Sequence, residues 1–487
     1  MQFQMTSMRS IMVAALLGVI AFFSLYRLTE SPPVWYDEGI YIQTAAYFAE
    51  TGTLGFQLAP DETAPAAYVT AGYPFLFPLA LVFKLFGVGV LEARLLMVFF
   101  ILSLALISYL LVRRLFGDYC ALWTLAVLAV FPPLYGNGKS VLGELPGMLY
   151  FSLFLLFLES AKRSSTHRTL FAVLSAASAG LAVATKPVFL ILLPALLLAL
   201  IFKWSSVRTY RRELLLGAAA FGIPIALWLF TQFSGADSLK SILAFYSNPY
   251  EVADIGTKVI GNVLRLFGDI TPLFLAGTMI VWFASLWVRY RRRERIGIEE
   301  ILSVIFVSLS IAAYLRTGGW YRYLFPYQVI ALYFTPYALV VLTDALRRRF
   351  PISLFRKGLV LSVSGVVLFV FGVYLLLFNS WVADAYRSEK TAFWQNYVAE
   401  APAEHVFFFY DTPEVALFAE GRPYYQYLTP KGWKSDTRVL EKLRAGDVDT
   451  IIVKTDALPS TGDLFAGYVK VEEVYKYTVL ANEGALP

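Results

Sequence analysis

Long apolar runs, separated by short basic or proline-bearing breaks, fill the chain from about residue 10 to residue 379. Crossing a bilayer takes about 17–25 apolar residues in a helix. Runs of that kind fall near 10–28, 90–112, 119–136, 144–160, 169–185, 187–203, 213–231, 271–288, 299–316, 324–343 and 357–379. The pattern therefore predicts eleven spanning helices. The stretch 72–87 is different: at about 15 residues it is short for a span, and it carries Pro74 and Pro78.

Charge parity decides that stretch. Arg113-Arg114, Lys162 to Arg168, Lys203 to Arg212, Arg289 to Arg295 and Arg347 to Lys357 are the basic clusters. Cytoplasmic loops collect Lys and Arg, and all these clusters share a side with the N-terminus only if 72–87 does not cross. The expectation is an interfacial or re-entrant helix over 72–87, a cytoplasmic N-terminus and an outer C-terminal segment. On the outer side lie the first loop, with no Lys or Arg between Arg27 and Lys84, the segment 137–143, Lys186-Pro187, the loop 232–270, residues 317–323 and everything after Asn379. Within the first loop, apolar and aromatic residues from Ile40 to Phe48 recur at helical spacing and predict a short helix at headgroup level; the Pro- and Ala-rich patch 59–67 reads as ordinary loop.

From about Asp384 the periodicity changes. Residues 405–410 and 450–454 read as buried strands, 413–420 and 437–444 as helices, and 469–480 as a closing hairpin or strand pair. Strands alternating with short helices imply a small α/β domain. The expected organisation is a membrane domain over 1–383, with 29–89 as its first outer loop, and an extracytoplasmic α/β domain over 384–487.

Composition agrees. Hydrophobic residues make up 58% of 487 positions and charged residues 16%, with 40 Phe, 30 Tyr and 10 Trp. Soluble domains hold about 25% charged residues, so the chain is a multi-pass protein, placed here in a cytoplasmic (inner) membrane. Its net charge of +6 comes from loop arginines that set topology, not from a nucleic-acid footprint. Cys120 is the single cysteine, which rules out an internal disulfide and a cysteine-based metal site. The run 11–25 lacks a small-residue cleavage site and reads as a retained span.

Four features of the outer side carry candidate chemistry. Asp37-Glu38 stands just beyond the first span, and Glu144 opens the span 144–160 within Gly143-Glu144-Leu145-Pro146-Gly147. Ionisable groups at membrane depth are costly, which marks them as functional candidates. Each carboxylate also fits a plainer role at a helix N-terminus, Asp37 as a cap and Glu144 against the helix dipole. Lys186, in Thr185-Lys186-Pro187, and Arg316 with Arg322, in the stretch 316–326, are cations on the side where cations are scarce. They need an anionic partner: a phosphate at the membrane surface, or the first-loop carboxylates themselves. Lys186 also fits a lysine snorkelling to the interface. Carboxylates facing cations suit transfer from a lipid-phosphate-sugar, with a base for the acceptor hydroxyl and positive charge for the departing phosphate. His167 and His405 are the only histidines, the first expected on the cytoplasmic side and the second in the appended domain, which leaves carboxylates as bases.

These motifs resemble the GT-C superfamily of membrane glycosyltransferases, in the branch of protein O-mannosyltransferases and lipid A aminoarabinose transferases. The matching residues are Asp37-Glu38, the stretch from Thr70 to Leu96, Gly143-Glu144-Leu145-Pro146, Thr185-Lys186-Pro187 and Arg322-Tyr323-Leu324-Phe325-Pro326. The resemblance implies a GT-C fold with juxtamembrane helices in the first outer loop, polyprenyl-phosphate sugar donors and inversion at the sugar carbon. It carries the catalytic role to Asp37 and Glu144, with Glu38 beside them. Donor phosphate binding is expected at Lys186, Arg322, Arg316 and Arg94, and the substrate pocket at Tyr41, Tyr73, Tyr321 and Tyr323. The aminoarabinose transferases place Glu-Lys where this chain has Ala67-Tyr68. Their metal-binding Glu is thus missing; no metal is expected at that position and no cofactor is predicted, although a divalent metal elsewhere is left open.

The expected activity is sugar transfer to an acceptor hydroxyl on a lipid, polysaccharide or protein at the outer face. The expected partners are the lipid-linked donor, that acceptor and membrane lipids, with no nucleic acid. Loop 232–270, with Phe245-Tyr246 and Pro249-Tyr250, is expected to cover the donor pocket. The competing readings are a transporter or flippase of lipid-linked sugars, against which the chain shows no internal repeat, and a non-catalytic protein that presents acceptors.

Overall fold

The computed structural model describes residues 2–60, 62–233, 254–268, 270–349, 357–378, 389–419, 421–428, 437–458 and 462–483. The expected cover at 245–250 lies outside them. Helix α1 (Gln2–Leu25) leads to α2 (Tyr36–Thr51), a hairpin of β1 (Gly55–Ala59) and β2 (Glu62–Pro65), a 3-10 turn and α3 (Tyr73–Phe86). Then come α4 (Val90–Phe116), α5 (Asp118–Ala129), α6 (Pro132–Lys139), α7 (Glu144–Arg163), α8 (Arg168–Thr185), α9 (Leu192–Phe202) and the short α10 (Trp204–Val207). The remaining helices of this part are α11 (Arg211–Phe233), α12 (Ile255–Gly268), α13 (Ile270–Arg291), α14 (Ile298–Tyr314), α15 (Phe325–Arg349) and α16 (Lys357–Phe378).

Eight of these helices are long and apolar enough to cross a membrane, and α5 with α6 makes a ninth if that pair, bent by 61°, is one span. The other two predicted spans are shorter: Pro187–Phe202, which starts as a 3-10 turn, and the 17-residue α14. Helix α3 is a 14-residue apolar helix, with Pro74 in its first turn and Pro78 within, where an interfacial or re-entrant helix was expected. Basic residues near the ends of α1, α4 and α7 pair with neighbouring helix ends. Arg9 and Arg113 both pair with Asp118, at 2.7 and 2.8 Å, and Lys162 bridges Glu159 and Glu299. Asp37 lies beyond the far end of α1.

The patch 59–67 is more ordered than loop. It supplies β2, which pairs antiparallel with β1, and the 3-10 turn Ala66–Tyr68. Two strands of five and four residues are too short to announce themselves by alternation.

After α16 the chain forms α17 (Glu389–Glu400), β3 (Phe407–Tyr410), α18 (Pro413–Ala416), β4 (Tyr424–Tyr427), α19 (Thr437–Arg444), β5 (Thr450–Lys454), β6 (Tyr468–Val474) and β7 (Tyr477–Asn482). The sheet runs β4-β3-β5-β7-β6, with β3 parallel to β4 and β5 and the β6–β7 hairpin antiparallel at the other end. Its central strands, Phe407–Phe409 and Ile451–Val453, are buried on both faces, as a sheet covered on two sides requires. Strand β4 and helix α17 are the elements that hydrophobic patterning does not reveal.

This small domain rests on α2. Gln43 donates to the Pro413 carbonyl at 2.9 Å, and Gln426 donates to both Gln43 and the Gln57 carbonyl. The approach is so close that a Cβ on Gly39 would lie 2.5 Å from the Pro413 carbonyl oxygen. The glycine after Asp37-Glu38 thus serves the docking of the C-terminal domain.

Candidate active site

Helix α2 starts at Tyr36 with Trp35 as its cap, so Asp37 lies inside the first turn rather than at the capping position. The backbone cap is closed from the other direction: Glu38 accepts the Trp35 N–H at 3.1 Å. That much is local chemistry, half of a capping box.

The same Glu38 carboxylate is wholly buried and receives Arg94 in a fork, Nε to Oε1 at 2.9 Å and Nη2 to Oε2 at 3.0 Å. The Val141 amide adds a bond at 3.2 Å, and Arg94 also donates to the Leu28 carbonyl at 2.8 Å. The pair ties α2 to α4, to the chain leaving α1 and to the loop before α7. This corrects two expectations: Glu38 and Arg94 were assigned to catalysis and to the donor phosphate, but both have zero side-chain exposure and satisfy each other. A bidentate guanidinium–carboxylate pair of this kind holds elements in place.

Asp37 faces the other way. Its carboxylate is about one-fifth exposed and meets Arg322 Nη2 at 2.8 Å. Arg322 is the second residue of the 3-10 turn 321–324 that leads into α15. Its guanidinium lies among the rings of Trp35, Trp320 and Tyr323, 5.2 to 5.7 Å from each centroid. Its Nε and Nη1 are buried and have no hydrogen-bond acceptor among the described residues. Two unmet donors on a buried arginine are uncommon and leave the guanidinium able to bind an anion.

A second carboxylate–cation pair stands close by. Glu144 begins α7, with 1% exposure and both oxygens lacking a hydrogen bond. Lys186 Nζ is 3.7 Å from its Oε1. That ammonium donates to the Tyr41 hydroxyl at 2.6 Å and to Thr70 Oγ1 at 3.3 Å, and the two hydroxyls are 2.7 Å apart. Burial, reinforced by the carboxylates of Asp37 and Glu144, holds the Tyr41 hydroxyl well above its ordinary pKa, so it stays protonated. Asp37 and Glu144 thus act on one hydroxyl, and both also act on Arg322. The two pairs form one cluster.

Lys186 is held in place by backbone. The Gly72 amide donates to the Thr185 carbonyl at 3.0 Å, and a Cβ on Gly72 would come within 1.9 Å of the Ala184 carbonyl oxygen. The Ala71-Gly72 step therefore lets the first loop press against the α8 end that presents Lys186.

Tyr41 and Tyr323 are in this cluster. Tyr321 is half-buried against the membrane-domain core, Arg316 is exposed in the turn after α14, and Tyr73 packs against Phe77 at the start of α3. Thr70, Trp35 and Trp320 are site residues that the sequence reading passed over. Among the described residues, no three His, Cys, Asp or Glu side chains converge as metal ligands. Each carboxylate of the cluster faces a cation, Asp37 facing Arg322 and Glu144 facing Lys186.

Residues 73–230 match the family model described as Dolichyl-phosphate-mannose-protein mannosyltransferase. No curated protein matches the sequence. Among solved structures, ArnT from Cupriavidus metallidurans bound to undecaprenyl phosphate superposes with a TM-score of 0.67 at 14% identity, covering 98% of this chain and 99% of that one. The archaeal oligosaccharyltransferase AglB from Archaeoglobus fulgidus, in complex with an inhibitory peptide and a dolichol-phosphate, gives 0.59 at 12% identity, covering 98% and 75%. Both are GT-C glycosyltransferases, and the fold of this chain is theirs.

Proposed function

We propose that this multi-pass membrane protein of GT-C fold transfers a sugar from a polyprenyl-phosphate donor to an acceptor hydroxyl, at the membrane surface that carries its C-terminal domain. The observation that carries the reading is the Asp37–Arg322 pair: a partly exposed carboxylate held 2.8 Å from a guanidinium that has two donors unmet. The fold neighbour whose structure holds undecaprenyl phosphate supports the donor class.

Asp37 takes the proton of the acceptor hydroxyl as that oxygen bonds to the anomeric carbon. The bond from the anomeric carbon to the phosphate oxygen breaks, and its electron pair leaves with the lipid phosphate. Attack from the face opposite the phosphate inverts the carbon. Arg322, through Nε and Nη1, and Lys186 stabilise the negative charge that grows on the phosphate. Glu144 and Tyr41 hold Lys186 in position, and the outer face of an inner membrane is the surface assigned here.

Purified protein in proteoliposomes, given undecaprenyl-phosphate mannose, glucose or arabinose and a membrane-glycolipid extract, tests this by mass spectrometry. A new glycosidic product that disappears in Asp37→Asn is expected. Movement of a donor across the bilayer with no glycosidic bond formed would overturn the reading in favour of a flippase.

A further inference from the structure

Between the start of α2 and the C-terminal sheet lies a cleft of about 590 Å³, lined by Trp35, Tyr36, Lys454, Thr455, Asp456 and Lys476. Trp35 and Tyr36 immediately precede Asp37, and the Trp35 ring is also a wall of the Arg322 pocket. The cleft therefore adjoins the catalytic cluster across the Trp35 ring, on the side where the small domain sits. None of its C-terminal residues is used by the transfer chemistry above.

Its chemistry is specific. The Trp35 ring is 43% exposed and the Tyr36 ring is held in place, its hydroxyl donating to Asp411 at 2.9 Å. Lys454 lies 4.5 Å from the Tyr36 ring centroid and 3.3 Å from Asp411, and Lys476 is 3.2 Å from Glu414. Glu414 is itself fixed by the Tyr477 hydroxyl at 2.6 Å. Each lysine thus has a carboxylate behind it. Such paired ammoniums orient hydrogen bonds without building a strongly positive field, which favours neutral hydroxyls over a polyanion. Exposed aromatic faces beside a few fixed polar groups suit a flat, hydroxyl-bearing ring. The lining comes from a helix start, the end of β5 with its following turn, and the β6–β7 turn. A peptide acceptor added as a strand would need an open strand edge there instead.

The geometry points to this cleft as the seat of the acceptor, and to the acceptor's being a carbohydrate: a glycan or the saccharide head of a glycolipid, bound by Trp35, Tyr36, Lys454, Asp456 and Lys476 with one hydroxyl directed to Asp37. This rests on the transferase reading, and the test separates the two. Full-length protein in nanodiscs is applied to an array of defined neutral and anionic oligosaccharides and of serine- and threonine-containing peptides. Binding of radiolabelled undecaprenyl phosphate is measured in parallel. Wild type retains a set of oligosaccharides; Lys476→Ala and Asp456→Ala, both at exposed positions away from Arg322, weaken that retention at least fivefold and leave undecaprenyl phosphate binding unchanged. Retention of peptides in place of oligosaccharides, no retention of oligosaccharides by lipid-binding protein, or retention indifferent to both substitutions overturns the cleft. Oligosaccharide retention that obeys the substitutions in protein that does not bind undecaprenyl phosphate supports the cleft and overturns the transferase reading.

Discussion

Asp37 and Glu38 follow one another in the chain and are separated by one step of a helix, yet they enter opposite environments. Glu38 turns inward to a fork with Arg94, where neither side chain has any exposure and the carboxylate also receives two backbone amides. Asp37 turns outward to Arg322, where the acid keeps contact with solvent and the guanidinium keeps two donors unmet. One pair is saturated and the other is not. A saturated pair can hold helices but has nothing left to offer a substrate, whereas the unsaturated one can exchange its partner for a phosphate. The contrast separates architecture from chemistry within a single dipeptide.

The largest expected effect breaks the outer pair. Asp37→Asn should lower transfer by about 10²–10⁴, the usual worth of a general base, with undecaprenyl phosphate binding and the melting temperature kept; product formation by mass spectrometry is the measurement. Glu38→Gln should act in the opposite way. Removing one partner of a buried pair costs about 3–5 kcal/mol, so monodisperse protein on size-exclusion chromatography should fall sharply, while the folded fraction retains its turnover number. If Glu38→Gln instead left folding intact and stopped turnover, the division drawn here between the two carboxylates would be wrong.

Arg322→Lys sharpens the outer side. It keeps the charge but loses the fork, and should weaken undecaprenyl phosphate binding by about tenfold, on the order of 1.4 kcal/mol; a binding isotherm in detergent reads this. Gly39→Ala probes the residue that follows both acids. The added methyl meets the Pro413 backbone, and overpacking of this sort costs about 1–3 kcal/mol, seen as faster limited proteolysis of the C-terminal domain. The smallest effect belongs to Tyr41→Phe. Because the Tyr41 proton is held well above its ordinary pKa, the hydroxyl remains neutral through the neutral range and above it. Its removal should therefore lower transfer a few-fold, by loosening Lys186, without moving the alkaline limb of the pH–rate profile.

Much of this was legible in the chain. Hydropathy marked eleven apolar segments that are helical in the structure, eight of them long enough to span and a ninth if the bent α5–α6 pair is one span, and the prolines and length of 72–87 set it apart, because bilayer thickness imposes a length that can be counted. The prolonged absence of Lys and Arg after Arg27 located the side on which the acids gather. Asp37, Glu144, Lys186 and Arg322 stand out as costly charged residues beside spans, Tyr41 and Tyr323 are pocket residues that the family resemblance implies, and the structure brings those six together. The hairpin β1–β2 and strand β4 were not legible, since at four or five residues with polar residues among them they lack the unbroken apolar core that marks the equally short β3 and β5.

What the sequence determined by itself, then, was the set of helices and the set of costly polar groups, because crossing a membrane constrains each segment separately. Which of those groups would satisfy each other was decided only by tertiary structure. Asp37 and Glu38 have the same charge and almost the same local pattern; the cation each one meets comes from 285 residues away in one case and 56 in the other, and no local rule couples positions so distant. The same holds for the cleft beside Trp35, whose far wall is folded from the last forty residues or so of the chain.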